Sequence, residues 1–526
     1  MAEIRSPKAF SHLTAISSID GRFRGRVENL AKYFSEYATI KGRVFVEIEY
    51  LIAFLAEIKK PVSLADQKRL RAIAVNFSED DALSVWKKDE EINHDTKAVE
   101  YFLQNKLKKA KLEHLTNYLH FGLTSTDIDN TGLALSLKDF SKETFIFRVE
   151  NMIKTLQKIA SEQKDLVMLA RTHGQVAVPT TAGKELANFC VRLKVQLEKF
   201  KSIKIGSKIT GAVGNFNALV AAHPEINWPE FSKKLLNSLS LESYTHTTQV
   251  EPYDYKLEWI QAVKRINLVI MALGEDVWRY LALGYLSLRD EAGHVGSSTM
   301  PQKINPIGFE MGENYASLAN GIFDVLERRL PLNRWQRDLT DKYLLRDLGQ
   351  ALTMSVLAYE AVTEALRRIG FNEGVINQEL DNRWECIAEG IQTILRTTDC
   401  VEPYEKLKEL TRGKKVTKAD YEKFIKEINV PKEAKEKLKK LSPQNYVGLA
   451  KELAVLLLPQ WWAFSGGMRG RGKLWTIYRK RRITWCGIME ERGQGTRWST
   501  NTERLNYTRF PAGFFTPRQF VLLPTE

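Results

Sequence analysis

Apolar residues recur alternately four and three positions apart in the proline-free stretch between Pro252 and Pro301. The repeating positions are Trp259, Val263, Ile266, Ile270, Leu273, Val277 and Tyr280. A stripe of this period keeps one face of a helix apolar over many turns. The pattern therefore predicts a long helix that packs in a bundle or at a subunit interface.

Three other proline-poor stretches, 137–164, 182–204 and 343–369, have a similar amphipathic pattern. No succession of strand-like segments and no β-α-β spacing accompanies them. Together the stretches predict a mainly α protein with a central bundle of long helices. The Lys- and Glu-rich stretch 404–452 predicts short solvated helices of a smaller domain.

The composition is that of an ordinary globular chain. Of 526 residues, 44% are hydrophobic and 27% are charged, which excludes wholesale disorder. The longest apolar candidate, from Ala454 to Phe464, is interrupted by Pro459, so no membrane span is expected. The first residues lack the apolar core of a signal peptide. These features predict a cytoplasmic protein.

The four cysteines are far apart and form no C-x-x-C motif, and the eight histidines include no H-E-x-x-H motif. We therefore expect a reducing compartment, no disulfide framework, no metal site and no cofactor. The chain also lacks a P-loop, a G-x-S-x-G elbow and a dinucleotide-binding glycine motif. ATP hydrolysis, serine-hydrolase chemistry and dinucleotide redox chemistry are poorly supported.

The net charge of +14 is concentrated at one end of the chain. Residues 459–526 hold 12 Lys and Arg against 4 Asp and Glu, and 10 of those 12 are Arg. The preceding 404–451 is rich in Lys instead, so we place a boundary near Leu458. The remaining +6 suits an enzyme of anionic substrates, and it gives little reason to expect nucleic acid as a partner.

Three segments of small and polar residues carry the candidate chemistry. They are Leu123–Asp129 after the triplet 93–95, the run 171–175, and the stretch 293–306. We predict all three to be loop-like. In the last, Lys303 follows Ser297 by six residues, and a nearby cation and backbone N–H groups make a serine alkoxide less costly to form.

The string "GSSTMPQKINP" resembles the signature of the fumarase/aspartase superfamily, whose members eliminate fumarate from succinyl compounds. The rest of the chain is similar to the bacterial and plant type of the adenylosuccinate lyase family. The matching strings are "SSIDGRF", "NHDTKAVEYFL", "RTHGQ", "GAVGNFNA", "TTQVEPYDY", "RWQRDLTD" and "PYEKLKELTRGK". The similarity runs in order from about Leu13 to Leu458.

This resemblance implies a three-domain helical fold and a homotetramer whose active sites draw on three subunits. The implied reactions release fumarate from adenylosuccinate, giving AMP, and from the succinyl-carboxamide ribotide of purine biosynthesis, giving AICAR. We predict an N-terminal helical domain over 1–112, a central long-helix bundle over 113–365 and a C-terminal helical domain over 366–458. A basic tail, 459–526, has no match.

The resemblance also implies the roles of individual residues. Ser297 matches the general base that removes a proton beside a succinyl carboxylate. His173 matches the general acid that protonates the leaving nitrogen, with Glu310 as its carboxylate partner. Lys303 and Asn305 match residues that hold the carboxylates and the developing charge. An acid and a base on opposite faces of a C–N bond are what a β-elimination requires.

Further positions match contacts to the succinyl group, the nucleotide or its phosphate. They are Arg22, Phe23, Asn93, His94, Asp95, Thr124, Ser125, Gln249, Arg337, Lys342 and Arg346. A substrate with one phosphate and two carboxylates needs several fixed cations, and arginine forks suit this task. Arg337 and Arg346 can also be read as solvated helix charges, and His94 as a helix cap.

Four positions depart from the family pattern, and each leaves an alternative open. Gln302 stands where a histidine is usual, and "MPQK" is the form seen in argininosuccinate lyases. Phe23, Tyr253 and Lys342 replace a tyrosine, a histidine and a serine. One alternative is therefore argininosuccinate lyase or another fumarate-releasing lyase. Another is a lyase scaffold of weakened activity whose tail binds nucleic acid by arginine contacts and aromatic stacking.

Overall fold

The computed structural model describes residues 11–289, 300, 302–412 and 415–456. Helices predominate in this part of the chain, so the predicted mainly α fold is confirmed. None of the described helices is long and apolar enough to cross a membrane. The predicted tail 459–526 lies outside the described residues.

The N-terminal part is a compact group of helices. They are α1 (Arg24–Val27), α2 (Ala31–Phe34), α3 (Glu36–Glu57), α4 (Leu64–Val75), α5 (Glu79–Ile92) and α6 (Asp95–Lys109). Serine N-caps begin three of them, because the hydroxyls of Ser35, Ser63 and Ser78 accept backbone N–H groups of the first turns. Side chains of α3 to α6 form a separate apolar core that includes Val44 and Leu103.

The central part contains the longest helices. They are α7 (Ser125–Phe140), α8 (Ile146–Glu162), α9 (Ala182–Ser202), α10 (Asn217–Ala222), α11 (Trp228–Ser238), α12 (Asp254–Ala282), α13 (Ile307–Arg329), α14 (Thr340–Leu344) and α15 (Leu348–Leu366). The heptad stripe predicts α12 correctly, and its apolar positions are buried in the main core except for Tyr280, which is partly buried. A π-helical turn, Ser141–Phe145, joins α7 to α8.

Helix α15 differs from its sequence-based expectation. The pattern at 343–369 predicts an amphipathic helix, but nearly every side chain of α15 is buried. Helices α2, α8, α12 and α13 surround it, so the helix has no broad solvent face. It therefore forms the centre of the bundle.

Short strand pairs supplement the helices. The strands are β1 (Val167–Thr172), β2 (Gln175–Thr181), β3 (Gly206–Ser207), β4 (Glu242–Ser243), β5 (Leu286–Leu288) and β6 (Ile369–Phe371). The pairs β1–β2 and β5–β6 are antiparallel, and β3–β4 is parallel. The sequence pattern revealed none of these pairs.

Short helices follow the bundle, as predicted for 404–452. They are α16 (Glu373–Asp381), α17 (Ala388–Leu395), α18 (Pro403–Thr411), α19 (Lys418–Glu427), α20 (Lys432–Lys439) and α21 (Ala450–Val455). Their apolar core includes Leu380, Ile391 and Leu438 and extends to Leu169 of β1. Helix α21 returns to pack against α8 and α9. The domain boundaries given above remain predictions.

Candidate functional site

Most of the segment Leu123–Asp129, predicted to be a loop, belongs to the first turns of helix α7. Thr124 precedes the helix, and its backbone N–H donates to the Asp127 carboxylate over 2.9 Å in a capping box. A T-x-x-D sequence caps the N-terminus of a helix in this way. The threonine and aspartate side chains each accept a backbone N–H that has no partner in the first turn. The loop prediction was therefore wrong from Ser125 onward, which is the first helical residue, while Leu123 and Thr124 precede the helix.

Asp127 is fully buried and pairs with Lys208, which is also fully buried. The Lys208 Nζ lies 2.8 Å from Oδ1 of Asp127. Burial lowers the pKa of Lys208, although the Asp127 charge opposes this effect. The same carboxylate accepts the backbone N–H groups of Thr210 (2.9 Å) and Gly211 (3.2 Å). The start of α7 is thus joined to the segment that follows β3.

Gln249 connects a third segment to these two. Its side-chain Nε2 donates to the Ala212 carbonyl over 2.9 Å, and its backbone N–H donates to the Gln336 carbonyl over 3.1 Å. The Thr126 hydroxyl donates to the Gln249 carbonyl over 2.5 Å. The residues Thr124, Ser125 and Gln249, which the sequence singled out, therefore lie on connected segments.

A charged cluster forms where α3, α6, α7 and α14 meet. Arg43 is buried and donates to Asp95 (2.8 Å) and Asp129 (2.6 Å), and Lys342 lies 2.9 Å from Asp95. Burial alone raises the pKa of Asp95, but the charges of Arg43 and Lys342 outweigh it and hold that pKa well below its usual range. The extra cation at position 342 is thus paired with a carboxylate of the chain itself.

Asp95→Asn is expected to lower the free energy of unfolding by about 2 kcal/mol at neutral pH, because two cations lose a charged acceptor. The pKa of Asp95 is lower in the folded state. Its contribution is therefore complete above the unfolded pKa of about 4 and is lost as the pH falls further. Urea unfolding of both proteins at a series of pH values measures this. A difference that stays constant down to pH values of about 2 would contradict the assignment.

Arg337 and Tyr253 share a second carboxylate. The Arg337 Nη1 and the Tyr253 hydroxyl each lie 2.5 Å from an oxygen of Asp341, which is buried. Burial, and then the Asp341 charge, raise the pKa of Tyr253. The departure at position 253 therefore fills a buried polar position, and Arg337 is more than a solvated helix charge.

His94 caps helix α6, and Asn93 ends α5 with a left-handed backbone (φ 52°). The His94 Nδ1 accepts the backbone N–H of Lys97 over 3.1 Å. The capping interpretation is thus correct, and in the neutral ring it leaves the proton on Nε2. Because the ring is exposed, capping and contact with a ligand through Nε2 are compatible.

His173 lies at the tip of the β1–β2 hairpin. The prediction of a loop at 171–175 was incomplete, since only His173 and Gly174 form the turn, both with positive φ (53° and 74°). The hairpin is fixed to α16 by Arg171, which donates to both carboxylate oxygens of Glu379 (2.7 and 2.9 Å). The His173 side chain is exposed at the tip.

The candidate residues of the third segment and Glu310 come before α13 or in its first turn. Ser297 lies outside the described residues, while Lys303 and Asn305 precede α13 and Glu310 lies in its first turn. Within the described part of the chain, no hydrogen bond or ion pair joins Glu310 to His173.

Three further candidates lie outside these segments. Arg22 and Phe23 precede α1, and Arg346 follows α14. Arg22 is exposed, and the Phe23 ring packs edge-on against Tyr315 of α13 with 5.4 Å between ring centroids. Arg346 is largely exposed, with its Nε 3.5 Å from the Glu36 carboxylate. The solvated interpretation therefore fits Arg346 better than Arg337.

Among the residues that the structure describes, no group of His, Cys, Asp or Glu side chains is arranged to hold a metal ion.

Sequence reasoning missed Arg43, Asp127 and Lys208 as parts of this region. Asp127 belongs to a singled-out string and has the T-x-x-D spacing of a capping box, so a signal for it was present. The sequence around Lys208 and Arg43 contains no such signal. A single charged residue in a sequence is most often solvated, and their partners lie far away along the chain.

Two family models match most of the chain. The family described as "Lyase" matches residues 21–321, and the family described as "Adenylosuccinate lyase C-terminal" matches residues 333–447. Curated relatives named adenylosuccinate lyase are 43% identical in Vibrio cholerae, and 42% identical in Escherichia coli K12 and in Dictyostelium discoideum. Each comparison covers 84% of this chain and 97–98% of the relative.

Solved structures support the fold. A fumarate lyase from Mesorhizobium has a TM-score of 0.66 at 18% identity, covering 82% of this chain and 97% of that chain. A 3-carboxy-cis,cis-muconate lactonizing enzyme from Pseudomonas putida has a TM-score of 0.65 at 17% identity, covering 82% and 96%. At such identities the similarity concerns the fold alone.

Proposed function

The chain belongs to the adenylosuccinate lyase family of fumarate-releasing carbon–nitrogen lyases, and from this premise we propose how its residues perform the reaction. The substrates are adenylosuccinate, which yields AMP and fumarate, and the succinyl-carboxamide ribotide, which yields AICAR and fumarate. The observation that carries the proposal is 43% identity to a named adenylosuccinate lyase over 98% of that relative's length.

In the proposed elimination, Ser297 removes a proton from the succinyl carbon next to a carboxylate. The electron pair forms the new double bond, the C–N bond breaks, and His173 protonates the departing nitrogen. Lys303 and Asn305 hold the carboxylates and offset the charge that develops beside the reacting carbon. The exposed position of His173 at a tightly turned hairpin tip supports the acid role, because its ring can reach a bound substrate.

Binding of the remainder of the substrate is assigned to the connected segments around α7. Thr124, Ser125 and Gln249 contact it there, and Asn93, His94 and Asp95 lie at the adjoining start of α6. Arg22, Phe23, Arg337, Lys342 and Arg346 complete the phosphate and carboxylate contacts. The pairing of Lys342 with Asp95 and of Arg337 with Asp341 supports cations that are already oriented before substrate binds.

We propose that the active site is shared between subunits of a homotetramer. Two observations support this. His173 and its proposed partner Glu310 are not hydrogen-bonded within the described chain, which agrees with a site in which another copy supplies one of them. In addition, the long helices α12 and α13 expose large apolar side chains, among them Leu268, Trp278 and Leu318, which suit a subunit interface.

The choice of substrate is tested against argininosuccinate, the alternative raised by Gln302. The purified protein is assayed for fumarate release from adenylosuccinate and from argininosuccinate under the same conditions. We expect turnover of adenylosuccinate only, because the nucleotide phosphate is the group that the arginines are proposed to bind. A higher kcat/KM for argininosuccinate would refute the substrate assignment.

Removal of residues 459–526 is expected to leave kcat and KM unchanged within about twofold, because the family match ends before them. The alternative of a tail that binds nucleic acid rests on its Arg and Trp content. Fluorescence titration of single-stranded RNA with both proteins tests that alternative. A salt-sensitive affinity that disappears with the tail would favour it, and loss of lyase activity would show that catalysis needs the tail.

We also propose a cytoplasmic location. Cys190 and Cys386 are buried thiols that form no disulfide within the described part of the chain, which supports a reducing compartment. Cys486 lies outside the described residues.

A further inference from the structure

We infer that Asp127 and Lys208 are positioning residues that hold two substrate-contacting segments in one fixed arrangement. The inference rests on the proposed function, which assigns Thr124, Ser125 and Gln249 to the substrate. Neither member of the pair touches solvent, since both side chains are 0% exposed. They therefore act on a ligand through their neighbours.

The Asp127 carboxylate gathers donors from both segments. It accepts the backbone N–H of Thr124 on the α7 side, and those of Thr210 and Gly211 on the other side, over 2.9, 2.9 and 3.2 Å. The Lys208 Nζ, 2.8 Å from this carboxylate, also donates to the Gly211 carbonyl over 3.2 Å. The ion pair thus binds both backbone groups of Gly211, its N–H through Asp127 and its carbonyl through Lys208.

The arrangement extends from Gly211 to Gln249. Gly211 has a φ of 78°, which a glycine adopts without strain, and the next carbonyl, that of Ala212, accepts Nε2 of Gln249. At Gly214, a Cβ would collide with the Thr247 carbonyl, so the two segments are in direct backbone contact. A displacement of Gly211 therefore moves the Gln249 side chain relative to Thr124.

Buried ion pairs are costly to form, and removing one partner leaves an uncompensated charge. In Asp127→Asn, the amide nitrogen cannot accept an N–H, so at least one of the three backbone donors loses its acceptor, and the Lys208 ammonium loses the opposite charge. In Lys208→Met, the carboxylate keeps its backbone donors but Gly211 loses a contact. Asp127→Asn should therefore disturb the segments more than Lys208→Met does.

The test compares steady-state kinetics of the full-length variants with adenylosuccinate as substrate. Thr124, Ser125 and Gln249 are proposed to contact parts of the substrate that do not react, so misplacing them weakens ground-state and transition-state binding alike. We expect KM to rise about 10- to 100-fold in Asp127→Asn, and less in Lys208→Met, while kcat changes little. A merely structural role would lower the amount of folded enzyme and leave KM unchanged.

Leu438→Ala is the matched control, because Leu438 is fully buried in the C-terminal core and lies outside the proposed machinery. It should lower the melting temperature and leave KM unchanged. If Asp127→Asn has a lower melting temperature, as the control does, but the same KM as the unaltered protein, the positioning inference is wrong.

Hydrogen exchange separates this inference from the proposed function. In Asp127→Asn, peptides covering 122–127 and 206–214 should both exchange faster, while peptides of α12 keep their protection. If the unaltered protein releases no fumarate, the proposed function fails, but faster exchange in both segments still supports the coupling. Unchanged exchange in either segment overturns the coupling, whatever the activity.

Discussion

Ser297→Ala is expected to lower kcat for fumarate release by about 10²- to 10⁴-fold, the range for loss of a general base. The serine is proposed to take the proton whose removal starts the elimination, and alanine offers no group for that transfer. KM should change little, since the carboxylate and phosphate contacts of the substrate remain. Single-turnover and steady-state fumarate assays measure the effect.

Ser298→Ala provides the matched control, because it removes a hydroxyl from the neighbouring residue in the same string. We expect it to keep most of the kcat. If Ser298→Ala abolishes activity and Ser297→Ala does not, the general base is Ser298. If both variants remain active, neither serine is the base and the proposed mechanism is wrong.

His173→Ala is expected to lower kcat by a similar factor, about 10²- to 10⁴-fold, because the departing nitrogen loses its proton donor. The hairpin itself should persist, since Arg171 still joins it to Glu379. Circular dichroism and the melting temperature check that the fold is retained.

Sharing of the site between subunits adds a sharper expectation for this variant. If His173 and Ser297 of one site come from different subunits, mixing the two inactive variants as subunits of one tetramer restores some complete sites. When the two variants mix randomly in equal amounts, about one quarter of the sites contain both a functional His173 and a functional Ser297. Recovered activity near that fraction supports a shared site, and no recovery after verified subunit exchange would contradict it.

The helices were predictable from the sequence where one periodic signal governs them. The stripe from Trp259 to Tyr280 predicts α12 because helix period and burial coincide there. The strands β1 and β2 were not predictable in this way. The run Val167–Leu169 is uniformly apolar, and the two-residue turn contains a histidine with positive φ, a conformation more typical of Asn or Gly.

The site was predictable only as far as its motifs extend. Thr124, Gln249 and Arg337 belong to strings with a family resemblance, and the structure places each in a defined set of contacts. The pairing of Asp127 with Lys208 depends on tertiary contact between residues 81 positions apart in the sequence, and no local pattern encodes such a contact. Polar N-cap residues also resemble loop residues, which explains the error at 123–129.

The most direct measurement is product analysis of adenylosuccinate incubated with the purified full-length chain. We expect fumarate and AMP to appear in equal amounts, with no added metal or cofactor, and the same assay on the succinyl-carboxamide ribotide to give fumarate and AICAR. A preparation that is folded and assembled yet forms neither fumarate nor AMP from adenylosuccinate would contradict the account.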